Sequence, residues 1–151
     1  MATKADFNAE EWSKLVEAPV LAGLRVSTVS GGGKIREAVA VARVYGEARK
    51  AQGDSTLLDE ITASPPGVEK TAPGDDPAAV VTARLKEALS IIDAKGSPED
   101  ADAYRKFVVA VARAAAEAHE EGGFIGIGGR KISDEEKEAL KEIQAEVDAA
   151  T

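Results

Sequence analysis

The chain has 151 residues, a formal net charge of −8 and no cysteine. The acidic balance argues against a nucleic-acid binder, which needs a basic face to displace counterions from phosphate, and against attraction to anionic lipid. Without cysteine, the chain can form no disulfide framework, thiolate nucleophile or cysteine-ligated zinc site.

Aromatic residues make up only 4% of this alanine-rich chain, so its core must be built by close approach of helices. We therefore predict an all-α protein of about six helices in a single domain, 1–151. The first residues lack an apolar signal core, and no apolar run approaches the roughly 18 residues that span a bilayer. We expect a cytoplasmic protein that meets a membrane only through a partner.

The first helix is predicted to begin at a capping box, in which the side chains of Asn8 and Glu11 bond each other's backbone amides. An apolar stripe follows at helical spacing, formed by Trp12, Leu15 and Val16 and continued by Val20, Leu24 and Val26. Pro19 either kinks this helix or starts a second segment. The glycine cluster in 30–33 then ends the helical pattern.

A second helix is indicated by apolar residues at helical spacing, namely Ile35, Val39, Ala42 and Tyr45. It should stop near Gly53, since glycine accepts the left-handed conformation that often ends a helix. Asp54 or Ser55 then caps a short helix that carries Leu57, Leu58 and Ile61. The stretch 64–76 is rich in proline and glycine and lacks apolar periodicity, which predicts a flexible surface loop.

Two further helices begin with the same signal, a capping residue followed by proline. The pair Asp76-Pro77 opens the first, whose inward face is predicted to be Val81, Leu85, Ala88, Leu89 and Ile92. The pair Ser97-Pro98 opens the second, whose inward face is predicted to be Tyr104, Phe107, Val108, Val111 and Ala115. Their short connection predicts an antiparallel hairpin at the centre of the fold. A last helix is predicted from 133–136 onward, with Leu140, Ile143 and Val147 inward.

The glycine-rich segment 122–132 separates the last two predicted helices and carries three apolar side chains, Phe124, Ile125 and Ile127. Such side chains cover the core as a lid, contact a partner or enter a membrane, and the acidic neighbours argue against lipid. Exposed apolar patches usually mark interaction sites. We predict that these three residues bind a protein partner or a second copy of the chain, with the lid as the alternative.

Acidic residues flank this segment on both sides: Glu120, Glu121, Asp134, Glu135 and Glu136. Their carboxylate oxygens are ligands that Ca²⁺ or Mg²⁺ prefers, which makes them a candidate metal site although their spacing is not that of an EF-hand. The competing interpretation is that acids at a helix start interact with the helix dipole and bind no metal or cofactor.

The same segment also has the glycine content of a phosphate-binding loop. However, it follows a predicted helix rather than a strand, and the acids of the next helix start would repel an anion. His119 is the only histidine, and no flanking motif completes a catalytic set around it. A non-catalytic binding or scaffold module is therefore the main prediction, and an enzyme or nucleotide binder is the alternative.

A weak internal repeat joins the two halves of the chain, since a glycine cluster and Lys-Ile precede a helix at 33–35 and again at 129–132. The halves are either pseudo-equivalent helix-loop-helix units or the recurrence is chance. The stretch 108–143 resembles the TerB-like family of tellurite-resistance and co-chaperone-associated helical domains.

The resemblance rests on an acidic turn at 120–122, an apolar position at Ile132 and an acidic helix start at Glu135 or Glu136. The chain departs from the family in the inserted 123–129 and in Ser30, where the first half would carry an acid. The resemblance implies a compact α-helical fold, divalent-metal binding by the turn acids, and a role in stress response or membrane-adjacent complexes.

Overall fold

The computed structural model describes residues 1–29, 34–50, 55–64, 76–120 and 134–149. Within these ranges the chain is all-α, with a short 3-10 turn at Lys4–Asp6 followed by six α-helices and no strand. The helices are α1 (Ala9–Val29), α2 (Lys34–Lys50), α3 (Thr56–Ala63), α4 (Pro77–Lys95), α5 (Pro98–Glu120) and α6 (Asp134–Ala149). The predicted fold class is confirmed. The predicted loops fall largely on 65–75 and 121–133, which lie outside the described residues.

Several helices begin where a side chain caps the first turn, as the sequence predicts. In the capping box of α1, the Asn8 and Glu11 side chains each accept a hydrogen bond from the other residue's backbone amide at 2.9 Å. The Ser55 hydroxyl accepts from an amide in the first turn of α3 at 3.3 Å, and the Asp76 carboxylate does so for α4 at 3.1 Å. These starts are local in sequence, because each cap lies within three residues of the amide that it binds.

Helix α1 runs without interruption through Pro19, so the two-segment alternative does not occur. Four residues later, Gly23 lies where α1 meets both α5 and α2. A methyl group at Gly23 would stand 3.3 Å from Val111 Cγ1 and 3.4 Å from Val41 Cγ2. The absence of a side chain at this position therefore lets the three helices approach closely.

The core is organised around α1 and α5, which contact each other more extensively than any other pair of described helices. Helices α4 and α5 contact each other less extensively than either contacts α1, so the predicted hairpin of α4 and α5 is not by itself the centre of the fold. A buried hydrogen bond ties α5 to α1, in which the Tyr104 hydroxyl donates to the Leu15 carbonyl at 2.8 Å. A short connection makes α4 and α5 neighbours in the chain, but their apolar faces find more surface to bury against α1.

The predicted inward faces of α4 and α5 are all buried, and so are Ile143 and Val147 on α6. On α1 and α2, some of the residues predicted to face inward are exposed. Leu24 on α1 is 43% exposed, and Ala42 on α2 is also exposed. Leu24 follows Gly23, and a step of one residue turns a side chain by about 100° away from the contact that the glycine makes.

The N-terminal residues connect three helices, an arrangement that the sequence pattern does not indicate. The Ala2 amide donates to the Asp100 carboxylate at the start of α5 at 2.7 Å, and the Lys4 amide donates to Glu60 of α3 at 2.5 Å. Phe7 is buried and its ring centre lies 6.0 Å from that of Trp12 on α1. Residues 2–7 therefore form a strap that holds one end of the bundle together.

None of the helices in the described ranges combines the length and the apolar character needed to cross a bilayer.

Candidate functional site

The residues predicted to bind a partner, Phe124, Ile125 and Ile127, lie outside the part of the chain that the structure describes. Glu121 of the candidate metal set also lies outside it, and Glu120 is the last residue of α5. The choice between a partner site and a lid on the core therefore stays a prediction for these positions.

The three acids at the start of α6 do not share one environment. Asp134 and Glu135 are exposed, and the Asp134 carboxylate lies 3.7 Å from the ammonium group of Lys137. Glu136 is only 1% exposed. Successive residues of a helix point about 100° apart, so the third acid turns inward while the first two face solvent. Among the described residues no three histidine or acidic side chains are grouped so that they could hold a metal ion.

A groove of about 590 Å³ opens between α2, α5 and α6. Helix α5 supplies most of its lining, while α2 and α6 pack against α5 on either side. The lining residues are Val44 and Glu47 of α2, Asp102, Arg105, Lys106, Val109, Ala110, Arg113, Ala114 and Glu117 of α5, and Gln144, Val147 and Asp148 of α6.

The floor of the groove is apolar and is made of small side chains. Val109 and Ala114 on α5 are half-buried, and Ala110 between them is exposed. The half-buried Val44 of α2 and the buried Val147 of α6 line the groove on the two sides of this floor. Because alanine side chains are short, the α5 backbone lies close beneath the open surface.

The charged side chains around the floor fall into two groups. Arg105 and Lys106 are held in ion pairs, Arg105 with Asp93 of α4 at 2.5 Å and Lys106 with Asp102 one turn earlier at 2.6 Å. The second group consists of Glu47, Arg113 and Glu117, which are exposed and for which the described part of the chain supplies no ion-pair partner. The groove therefore combines an apolar floor with charges that remain available at its rim.

The side chains that line the groove can make apolar contacts and ion pairs. The lining side chains, all from described residues, include no histidine, serine or tyrosine. The nearest phenol groups belong to the core: Tyr45 packs edge-on against the Phe107 ring at 5.1 Å, and burial raises the pKa of Tyr45 to about 12. Its hydroxyl therefore stays protonated at neutral pH.

Sequence reasoning did not find the groove, although α5 carries a signal for it. The inward face of α5 is fully explained by the core, yet Val109, Ala110 and Ala114 interrupt an outward face that is otherwise charged. Apolar residues on the solvent side of an amphipathic helix indicate a second contact surface.

No family model matches the chain, and no curated protein or solved structure matches it. The resemblance of 108–143 to TerB-like domains therefore stays a prediction that rests on the residues named above.

Proposed function

We propose that this chain is a non-catalytic, cytoplasmic helical binding module that contacts a protein partner, either another protein or a second copy of itself. The partner surface comprises the groove between α2, α5 and α6 together with the segment 122–132. The observation that carries the proposal is the groove itself, since an open apolar floor with a charged rim is typical of an interaction surface.

The position of the groove supports a surface that it shares with the segment 122–132. Glu117 lines one end of the groove, and α5 ends at Glu120, immediately before the segment that carries Phe124. A partner seated in the groove therefore lies near the point where that segment begins.

The test uses affinity capture from an extract of the source cells with chemical crosslinking, comparing the wild-type chain with two variants. Ala110→Gln places a longer polar side chain on the groove floor, and Phe124→Ala removes the aromatic side chain from the segment. Ala83→Gln is the matched control, since Ala83 is an exposed alanine on α4, away from the groove.

We expect Ala110→Gln and Phe124→Ala to lose the same partner while Ala83→Gln keeps it, and all three to melt within a few degrees of the wild type. Sedimentation of the purified chain shows whether that partner is a second copy. Retention of every partner by both variants would contradict the proposal. A large loss of melting temperature for Phe124→Ala would instead support the lid, because removal of a buried phenylalanine costs about 3–5 kcal/mol.

A second candidate is a divalent-metal site of TerB-like type, with the role in stress response that the resemblance implies. The exposure of Asp134 and Glu135 favours it, since both carboxylates are accessible to a cation. Melting curves with Ca²⁺, Mg²⁺ and nucleotides test it, because a ligand that binds only the native state raises the melting temperature. A metal-dependent rise that disappears in the double variant Asp134→Asn, Glu135→Gln would support the metal site. A rise with nucleotide would favour the enzyme or nucleotide-binding alternative.

A further inference from the structure

The shape of the groove restricts what can occupy it. Its floor lies on α5, and α2 and α6 stand on either side. An element that contacts α5 while lying between α2 and α6 must be narrow, and a single helix about 10–12 Å in diameter has such a form.

The backbone around the groove favours a helix over an extended strand. A strand that binds a protein usually adds to the edge of a sheet, where unpaired backbone groups form hydrogen bonds with it. All three elements around this groove are helices, whose backbone groups bond internally. The small side chains Ala110 and Ala114, one turn apart, instead allow a second helix axis to approach α5 closely.

The charged side chains at the rim of the groove favour one sign of charge on the two flanks of that helix. Glu47 on the α2 wall and Glu117 on α5 are exposed carboxylates that have no ion-pair partner in the described ranges. Among the cations of the lining, Arg105 and Lys106 are paired, which leaves Arg113. Two carboxylates and one guanidinium therefore face an occupant without an ion-pair partner in the described ranges, in a chain whose net charge is −8.

We propose that the groove receives an amphipathic helix of a partner protein, whose apolar stripe rests on Val109, Ala110 and Ala114 and whose flanks carry lysine or arginine facing Glu47 and Glu117. This assignment rests on the proposed binding function and specifies the partner's chemistry. The lining of α5 from Asp102 to Glu117 is about 22 Å long at 1.5 Å per residue, so a helix of about 15 residues fills it.

The test measures binding of two fluorescein-labelled synthetic helices to the full chain by fluorescence anisotropy. Both peptides carry the same leucine and alanine stripe, flanked by lysine in one and by glutamate in the other. We expect the lysine peptide to bind more tightly and to weaken as salt is raised. Glu47→Lys and Glu117→Lys should each raise its Kd about threefold to tenfold. Ala110→Gln should raise the Kd of the lysine peptide by at least as much, because its side chain occupies the floor.

Glu138→Lys is the matched control, since Glu138 is an exposed carboxylate on α6 that does not line the groove, and it should leave the Kd unchanged. Melting curves of each variant confirm that it folds. The proposal is overturned if the glutamate peptide binds as tightly, if neither peptide binds, or if the groove variants bind as the wild type does. If the peptide test fails but Ala110→Gln still loses the partner in the capture experiment, the proposal of a basic helix as the occupant is wrong, while the proposed binding function is still supported.

Discussion

The two sides of α6 differ in how charged residues are used. Towards α1 and α4, ion pairs join one helix to another: Arg25 to Glu142 at 3.1 Å and Lys86 to Glu146 at 3.5 Å, and the same pattern links α1 to α4 through Lys14 and Glu87 at 3.3 Å. Towards α2, Lys106 pairs with Asp102 within α5 and Gln144 donates to Asp148 within α6, whereas Arg105 at the groove pairs with Asp93 of α4.

The packing follows the same division. We call the first side, where α6 packs on α1 and α4, the closed side, and the side lined by α2, α5 and α6 the open side. On the open side the apolar residues of α5 are alanine and valine, which leave space between the flanking helices. One helix therefore carries two apolar surfaces: residues of α5 that face α1 build the core, while those on its opposite face line the groove.

The largest loss of stability is expected for a core residue, compared with a residue on the floor of the groove. Leu89 of α4 is fully buried in the core, so Leu89→Ala should lower the free energy of unfolding by about 2–5 kcal/mol. Val109→Ala on the open side removes a half-buried side chain and should cost about 1 kcal/mol. Urea titration followed by circular dichroism measures both. Equal losses would show that the floor of the groove belongs to the core.

Gly23 and Gly46, which lie within described helices, give the next comparison. Gly23→Val forces a branched side chain between α1, α5 and α2 and should cost about 1–3 kcal/mol. Gly46 lies in α2, where an added methyl group meets no atom of the described chain within 4 Å, so Gly46→Ala should stabilise by about 0.5–1 kcal/mol through helix propensity. Thermal melting distinguishes the two signs. A stabilising Gly23→Val would mean that the three helices do not meet closely there.

A third prediction concerns the strap formed by residues 2–7. Burial by itself would raise the pKa of Asp100, but hydrogen bonds from the Ala2 amide and from the Ser97 amide and hydroxyl hold it below its ordinary value of 3.8. A lowered folded-state pKa contributes stability that is present above pH 3.8 and is lost as the pH falls through the folded pKa.

Asp100→Asn should therefore cost about 1–3 kcal/mol at pH 7 and flatten the decline of stability below pH 4. Urea titrations at pH 7, 4 and 3 compare the variant with the wild type. Glu99→Gln, on the exposed neighbouring residue, serves as the control and should keep the wild-type profile. An Asp100→Asn profile as steep as that of the wild type would show that other carboxylates carry the acid sensitivity.

The smallest effects are expected at the ion pairs themselves. Lys86→Gln breaks a pair across the closed side and Lys106→Gln breaks a pair within α5, and each should change the free energy of unfolding by less than about 1 kcal/mol, because exposed pairs contribute little. Denaturation at low and at high salt measures both variants. A loss of several kcal/mol for Lys86→Gln would show that charge, rather than packing, keeps the closed side together.

The candidate site was only partly predictable. Asp134 and Glu135 are exposed as a cation site requires, whereas the burial of Glu136 follows from the side on which α6 meets the rest of the bundle. The groove requires α2 and α6 to lie on opposite sides of α5, and these helices are separated in sequence by more than eighty residues. No local sequence pattern predicts that α2 and α6 lie on opposite sides of α5.

The features that could be predicted from the sequence are those that depend on residues close together in the chain. The caps at Asn8, Ser55 and Asp76, the helical spacing of the apolar faces on α4 and α5, and the all-α class all follow from interactions within about four positions along the chain.

Packing between distant parts of the chain places α1 and α5 at the centre, brings Ala2 to Asp100 and makes the outward alanines of α5 the floor of a groove. Each of these depends on which apolar faces bury the most surface against one another. That choice is made among all the helices together, so no single stretch of the chain contains it.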